Sequence, residues 1–150
     1  MSLYDSDYLA WANEQAALAR SRSGNALDWD NVAEELEDLG KQVVSELRSR
    51  YVILLSHLLK WIYQPERRGR SWEGTIGEQR IAIALHMHQN PSLKSSDGAT
   101  FKDAYRLARN RALKETKLPK ATFPVEPPFT AEQARDEDWW PEGTAPDEGL

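Results

Sequence analysis

Asp30 to Tyr63 reads DNVAEELEDLGKQVVSELRSRYVILLSHLLKWIY. Its apolar positions Val32, Leu36, Leu39, Val43, Leu47, Tyr51, Leu54, Leu58 and Trp61 advance by steps of three and four. That spacing predicts one stripe along one unbroken helix. Glu34, Glu35, Glu37 and Asp38 crowd its start, where the positive end of the helix dipole favours carboxylates. Asp28 or Asp30 can cap it, and Pro65 ends it by forcing its neighbour out of the helical region. From Tyr51 onward Val52, Ile53, Leu55, Leu59 and Ile62 widen the stripe to most of the circumference, so this half is the expected core. Gly40 weakens the middle and marks either a bend or a close crossing.

Three further main helices are predicted around it. Residues 5–20 place Tyr8, Trp11, Ala12, Gln15, Leu18 and Ala19 on one face, with Asp5 or Ser6 as cap. After the basic turn 64–70, a helix capped by Ser71 aligns Trp72, Ile76, Gln79, Ile83 and Met87, with Ile81, Ala84 and Leu85 broadening that face. Asn90-Pro91 stops it, and PSLKSSDG reads as a loop. A fourth helix, capped by Thr100, turns Phe101, Ala104, Tyr105, Ala108, Ala112 and Leu113 inward. Arg106, Arg109, Arg111, Lys114 and Lys117 are left on its outer side. Pro119, Pro124, Pro127 and Pro128 then favour an extended strap. A short final helix over 130–139 follows, with Thr130 and Gln133 at capping-box spacing. No strand periodicity competes, so the expected fold is an all-α bundle around the helix at about 30–63. Residues 1–140 are expected to form a single helical domain and 141–150 a disordered acidic tail.

The chain has 150 residues, enough to bury a real core. It contains no cysteine, which excludes disulfides, thiolate metal sites and cysteine nucleophiles. The start lacks the basic and apolar regions of a signal peptide, and the longest uncharged run is too short for a bilayer. The expectation is a cytoplasmic protein without membrane contact. Net charge is −5, unevenly spread. Residues 1–59 carry five Lys/Arg against ten Asp/Glu, residues 60–120 thirteen against six, and residues 121–150 one against eight. A basic middle between acidic ends suggests an anionic ligand or charge pairing within the fold.

An ordered set of residues also resembles a known family. It begins with Tyr4-Asp5, Trp11, Gln15-Ala16, Leu27-Asp28, Asn31, Glu34-Glu35 and Leu39-Gly40. It continues through Ser49-Arg50, His57-Leu58-Leu59-Lys60-Trp61, Tyr63-Gln64-Pro65, Ser71-Trp72, Thr75-Ile76 and Gln79-Arg80. Pro91-Ser92-Leu93-Lys94, Ala104-Tyr105, Ala108-Arg109, Glu115-Thr116 and Phe123-Pro124 complete it. Together these resemble the bacterial family called domain of unknown function 29, over residues 3 to about 140. The resemblance implies an all-helical, bundle-like domain of this length, and it implies no reaction and no catalytic residues. One departure is visible: Lys117 follows Glu115-Thr116 where the family pattern leads one to expect glycine.

Chemistry is sparse. The acidic cluster Glu34, Glu37 and Asp38 lacks the Glu-x-x-His partner of a carboxylate-bridged metal site, so no metal or other cofactor is expected. His86 and His88, two apart in a helix, point about 200° from each other and read as surface or rim residues. The best candidate binding surface combines His57, Lys60 and Gln64, a polar stripe on the apolar half of the long helix, with Arg67, Arg70, Trp72, Gln79 and Arg80 beyond the turn. Arginine forks suit phosphate or carboxylate, and indole rings suit stacking on bases. The simpler reading makes the tryptophans core and the arginines helix caps. Any acid–base role for His57 needs a carboxylate, with Glu73 or Glu78 as the nearby options.

Three functions compete on this reading. The first is a non-catalytic protein-interaction module, homodimeric through the first half of the long helix. The second is a binder of nucleic acid or another polyanion through residues 60–120. The third is an enzyme of unassigned reaction at His57, Lys60 and Arg80.

Overall fold

The computed structural model describes residues 2–147. Among these, 77% are helical and none lies in a strand, which fixes the fold as all-α. Six α-helices are found among the described residues: α1 (Leu3–Ser6), α2 (Tyr8–Arg20), α3 (Trp29–Tyr63), α4 (Arg70–Gln89), α5 (Asp97–Thr116) and α6 (Ala131–Arg135). Single 3-10 turns at Gly24–Ala26, Pro65–Arg67, Pro91–Ser96 and Lys120–Thr122 join them. The chain divides into two compact units, Met1–Gln42 and Val43–Leu150, and α3 contributes to both.

In the first unit the expected helix 5–20 is two helices. Asp7, at φ −151° and ψ 86°, closes α1 and caps α2, its carboxylate accepting from the Ala10 amide at 3.0 Å. Ser2 caps α1 through its hydroxyl. Two caps six residues from end to end compete for one stretch, and both form. Asp28 precedes α3 and gathers the indole N–H of Trp11 at 3.1 Å and the side-chain amide of Asn31 at 2.8 Å. Those donors, that of Asn31 first, hold its carboxyl below the usual range against the opposing effect of burial. Glu35 receives the hydroxyls of Tyr4 and Tyr8. The expected stripe is only partly covered here, because Leu36 and Leu39 are 62% and 56% exposed. α3 runs unbroken through Gly40, and a Cβ there would meet no atom within 4 Å, so it marks no close crossing among the described residues.

The second unit holds the main core. Leu47, Tyr51, Leu54, Leu55, Leu58, Leu59 and Trp61 of α3 are buried, as the stripe predicts. They share a cluster with Ile76, Ile83 and Met87 of α4 and with Phe101, Ala104, Tyr105, Ala108 and Ala112 of α5. Each large apolar side chain so buried contributes about 1.5–3 kcal/mol. Aromatic edges tie the elements together, from Tyr51 to Phe101 at 5.5 Å and from Phe129 to Trp139 at 5.9 Å.

The strap after α5 is fastened by side chains of α5 itself. Tyr105 donates its hydroxyl to the Pro124 carbonyl, and Arg109 donates to the carbonyls of Phe123 and Lys120. Arg109 is therefore half-buried, correcting its expected place on an outer basic face. The capping box of Thr130 and Gln133 forms as expected, although α6 stops at Arg135.

Three other expectations are corrected. Ile81, Ala84 and Leu85 point outward, so the apolar face of α4 is narrower than its sequence. α4 begins at Arg70 behind Gly69, with no side-chain cap from Ser71. α5 begins at Asp97, which places Thr100 inside its first turn. Of the stretch 141–150, Thr144 accepts from the Trp61 indole at 3.0 Å, while 148–150 lie outside the described residues.

Candidate functional site

The polar stripe of α3, which Arg50 extends upstream, faces both α4 and α5 in the second unit. Its first stop is Arg50, which donates to Gln79 Oε1 at 3.4 Å and to Glu46 at 3.2 Å. Further along, Lys60 is buried, with Nζ 2.7 Å from Glu115 Oε2 and 5.3 Å from the centre of the Trp72 ring. Arg111 donates to the other Glu115 oxygen at 3.0 Å. Burial works to raise the Glu115 carboxyl, yet the two cationic donors win and hold it below the ordinary range.

His57 is half-buried beside this pair. Its Nδ1 lies 2.7 Å from the Ile53 carbonyl and donates to it, leaving Nε2 as the acceptor of the neutral ring. Burial is the main cause of a lowered pKa, with Lys60 and Arg111 adding to it and Ile53 and Glu115 opposing. The carboxylate near His57 is thus Glu115 of α5, not Glu73 or Glu78.

Arg80 goes elsewhere. It is 1% exposed, donates Nε–H to the Ala134 carbonyl at 2.8 Å and lies 5.3 Å from the centre of Trp140. Its terminal nitrogens have no acceptor among the described residues. Burial lowers its pKa, and Asp136, Glu137 and Asp138 pull the other way. Trp140 in turn packs against Trp61, its ring tilted by 41° with centres 4.7 Å apart, and Arg68 lies 5.6 Å over the Trp61 indole. A row of cation, indole, indole, cation results, with Arg68 also held by the carbonyls of Trp61 and Ile62.

The expected residues therefore do not converge on one point. Lys60, Trp72 and His57 lie around Glu115, Gln79 joins Arg50, and Arg80 joins the strap. Gln64 is buried, whereas Arg67 and Arg70 are exposed. Among the described residues no three His, Asp or Glu side chains gather as metal ligands would. No helix of the described residues is long and apolar enough to cross a membrane.

Two polar centres escaped the sequence reading. Asp97 is buried and accepts from the Tyr51 hydroxyl at 2.6 Å and from Arg135 at 3.1 Å. His86, expected at the surface or rim, is buried with Nε2 2.8 Å from the Val43 carbonyl and Nδ1 3.2 Å from Glu46. A signal for it existed, since position 86 is three beyond Ile83 on the inward face of α4. Nothing local marks Asp97, which sits in a run that reads as loop.

The fold and these centres define an all-helical protein whose second unit closes its polar interior with ion pairs and backbone acceptors. The chain belongs to the family described as Domain of unknown function DUF29, whose model matches residues 3–140. No match to the chain is found among curated proteins, and none among solved structures.

Proposed function

We propose that this protein is a non-catalytic helical interaction module that forms a homodimer through the first half of α3. The observation that carries this reading is an uncovered apolar strip. Trp29, Leu36 and Leu39, seven and three residues apart, are 62%, 62% and 56% exposed. Several large apolar side chains left exposed along one helix face are characteristic of association sites. Carboxylates of Glu34, Glu37 and Asp38 surround it in sequence, which favours solubility of the free chain and selects among partners.

Size-exclusion chromatography with light scattering tests the reading. The expected mass exceeds 17.1 kDa at high micromolar concentration. Leu36→Asp combined with Leu39→Asp returns it to the monomer with an unchanged helical circular-dichroism spectrum, since exposed substitutions cost little stability. A wild-type chain that stays monomeric throughout removes the homodimer.

A second reading, binding of a polyanion, draws on one groove. About 430 Å³ in volume, it is lined by Trp61, Arg68, Arg70 and Glu73 together with residues 143–147. Against it stands the internal use of Lys60, Arg68, Arg109, Arg111 and Arg135, which leaves less positive surface than the sequence promises. Retardation of RNA or DNA at low salt, lost steeply as salt rises, is its signature. Absence of retardation for both the full chain and a chain ending at Trp140 excludes it.

A further inference from the structure

α4 carries a second uncovered face, on the side away from its core residues. Ile81 and Leu85 are 51% and 59% exposed, and Ala84 and His88 beside them are exposed as well. The spacing 81, 84, 85, 88 is that of one helical face. At its C-terminal end the face runs into a groove of about 310 Å³ lined by Ala84, Met87, His88, Pro91, Lys94 and Arg135. The polar lining of this groove is entirely basic. Arg135 is fixed there by Asp97, which Tyr51 anchors from the core. Its Nε is buried without an acceptor among the described residues.

Such a surface suits an apolar helix stripe accompanied by carboxylates, and the chain itself contains one. Residues 29–38 hold five carboxylates, from Asp30 to Asp38, around the exposed strip of Trp29, Leu36 and Leu39. The whole segment 1–42 carries three Lys/Arg against nine Asp/Glu, a net charge of −6. Leu36 and Leu39 are three apart and Ile81 and Leu85 four apart, the two ridge spacings that interdigitate when helices cross at about 20°.

We propose that the outer face of α4, from Ile81 to the His88–Lys94–Arg135 groove, is the docking surface for α3 residues 29–39 of a second copy of this chain. The inference rests on the reading that this part of α3 is an interaction face, and it names the surface that receives it. Each copy carries one face of each kind, so the contact joins like chains. Acidic and basic groups at the rim set register and speed encounter, while the leucines and isoleucine supply most of the contact.

Light scattering on the full chain at several concentrations tests this with variants at exposed positions. Ile81→Asp with Leu85→Asp abolishes the dimer. Lys94→Glu raises its dissociation constant about tenfold or more, and Glu37→Lys added to Lys94→Glu in the same chain recovers at least part of that loss. Circular dichroism confirms that each variant keeps its helix content. If the wild type dimerises and Leu36→Asp/Leu39→Asp breaks the dimer, but the α4 variants dimerise like the wild type, the docking surface proposed here is wrong and the reading of α3 stands. If the wild type is monomeric at every concentration, both fall.

Discussion

A carboxylate on α5 decides the surroundings of His57, because Glu115 draws Lys60 and Arg111 toward it and leaves the imidazole beside two cations. Burial and these charges lower the folded-state pKa below the ordinary 6.5, so the unfolded chain takes up the proton more readily. The sign follows from that difference. His57 leaves stability intact above about pH 6.5 and reduces it as pH falls from there through the folded value. Urea midpoints at pH 7.5 and pH 5.5 are expected to show a smaller drop for His57→Gln than for the wild type. Equal drops would mean that His57 titrates alike in both states. Arg80 illustrates a different economy. Its guanidinium is enclosed, makes one carbonyl bond and rests on Trp140, so geometry holds it where electrostatics alone favours water. Neither environment was legible from the letters. His57, Lys60 and Arg80 stand out in the sequence by their polarity among apolar neighbours. Their partners, Glu115 and Ala134, lie 55 and 54 residues away in sequence, and periodicity carries no information about which distant element arrives there.

At the scale of elements, Lys117 is the instructive position. It ends α5 at φ 57° and ψ 24°, the left-handed conformation that glycine adopts without a Cβ penalty. The family pattern leads one to expect glycine there, and the backbone supplies the reason. Lys117→Gly is expected to stabilise the chain by about 0.5–1 kcal/mol, since relief of the strained backbone outweighs glycine's added freedom in the unfolded chain. Chemical denaturation checks this, and a loss of stability would show that Lys117 makes a compensating contact. Helix existence and type were readable for α3, α4 and α5 because their stripes run for five turns or more. Helix ends were less so. Asp7 splits one stripe into α1 and α2, and α5 starts three residues before Thr100, because several Ser, Thr and Asp residues could each cap and packing chooses among them. The stripe also overstates burial. Leu36 and Leu39 continue the stripe that holds the core residues of α3, yet sharing a face does not provide a neighbour to cover it.

For the whole molecule, the two units differ greatly in how much apolar surface they enclose. Among the described residues up to Gln42, Trp11 is the single buried hydrophobic, whereas the cluster in the second unit holds twenty, from Leu47 to Ala134. A unit of this size with so small an interior depends on polar fasteners, here Glu35 with its two tyrosines and Asp28 with Trp11 and Asn31. Such fasteners are partly exposed, and exposed hydrogen bonds oppose local opening only weakly. Amide hydrogen exchange at low protein concentration is therefore expected to run at least about a hundredfold faster in Tyr8–Arg20 than in Tyr51–Trp61. The result also bears on association. If residues 29–39 are an interface, raising the concentration into the dimeric range slows exchange in that stretch of α3, where the free chain has little interior of its own. Equal protection of the two units at low concentration would show instead that they open as one cooperative block, and that the polar fasteners of the first unit hold more firmly than their exposure implies.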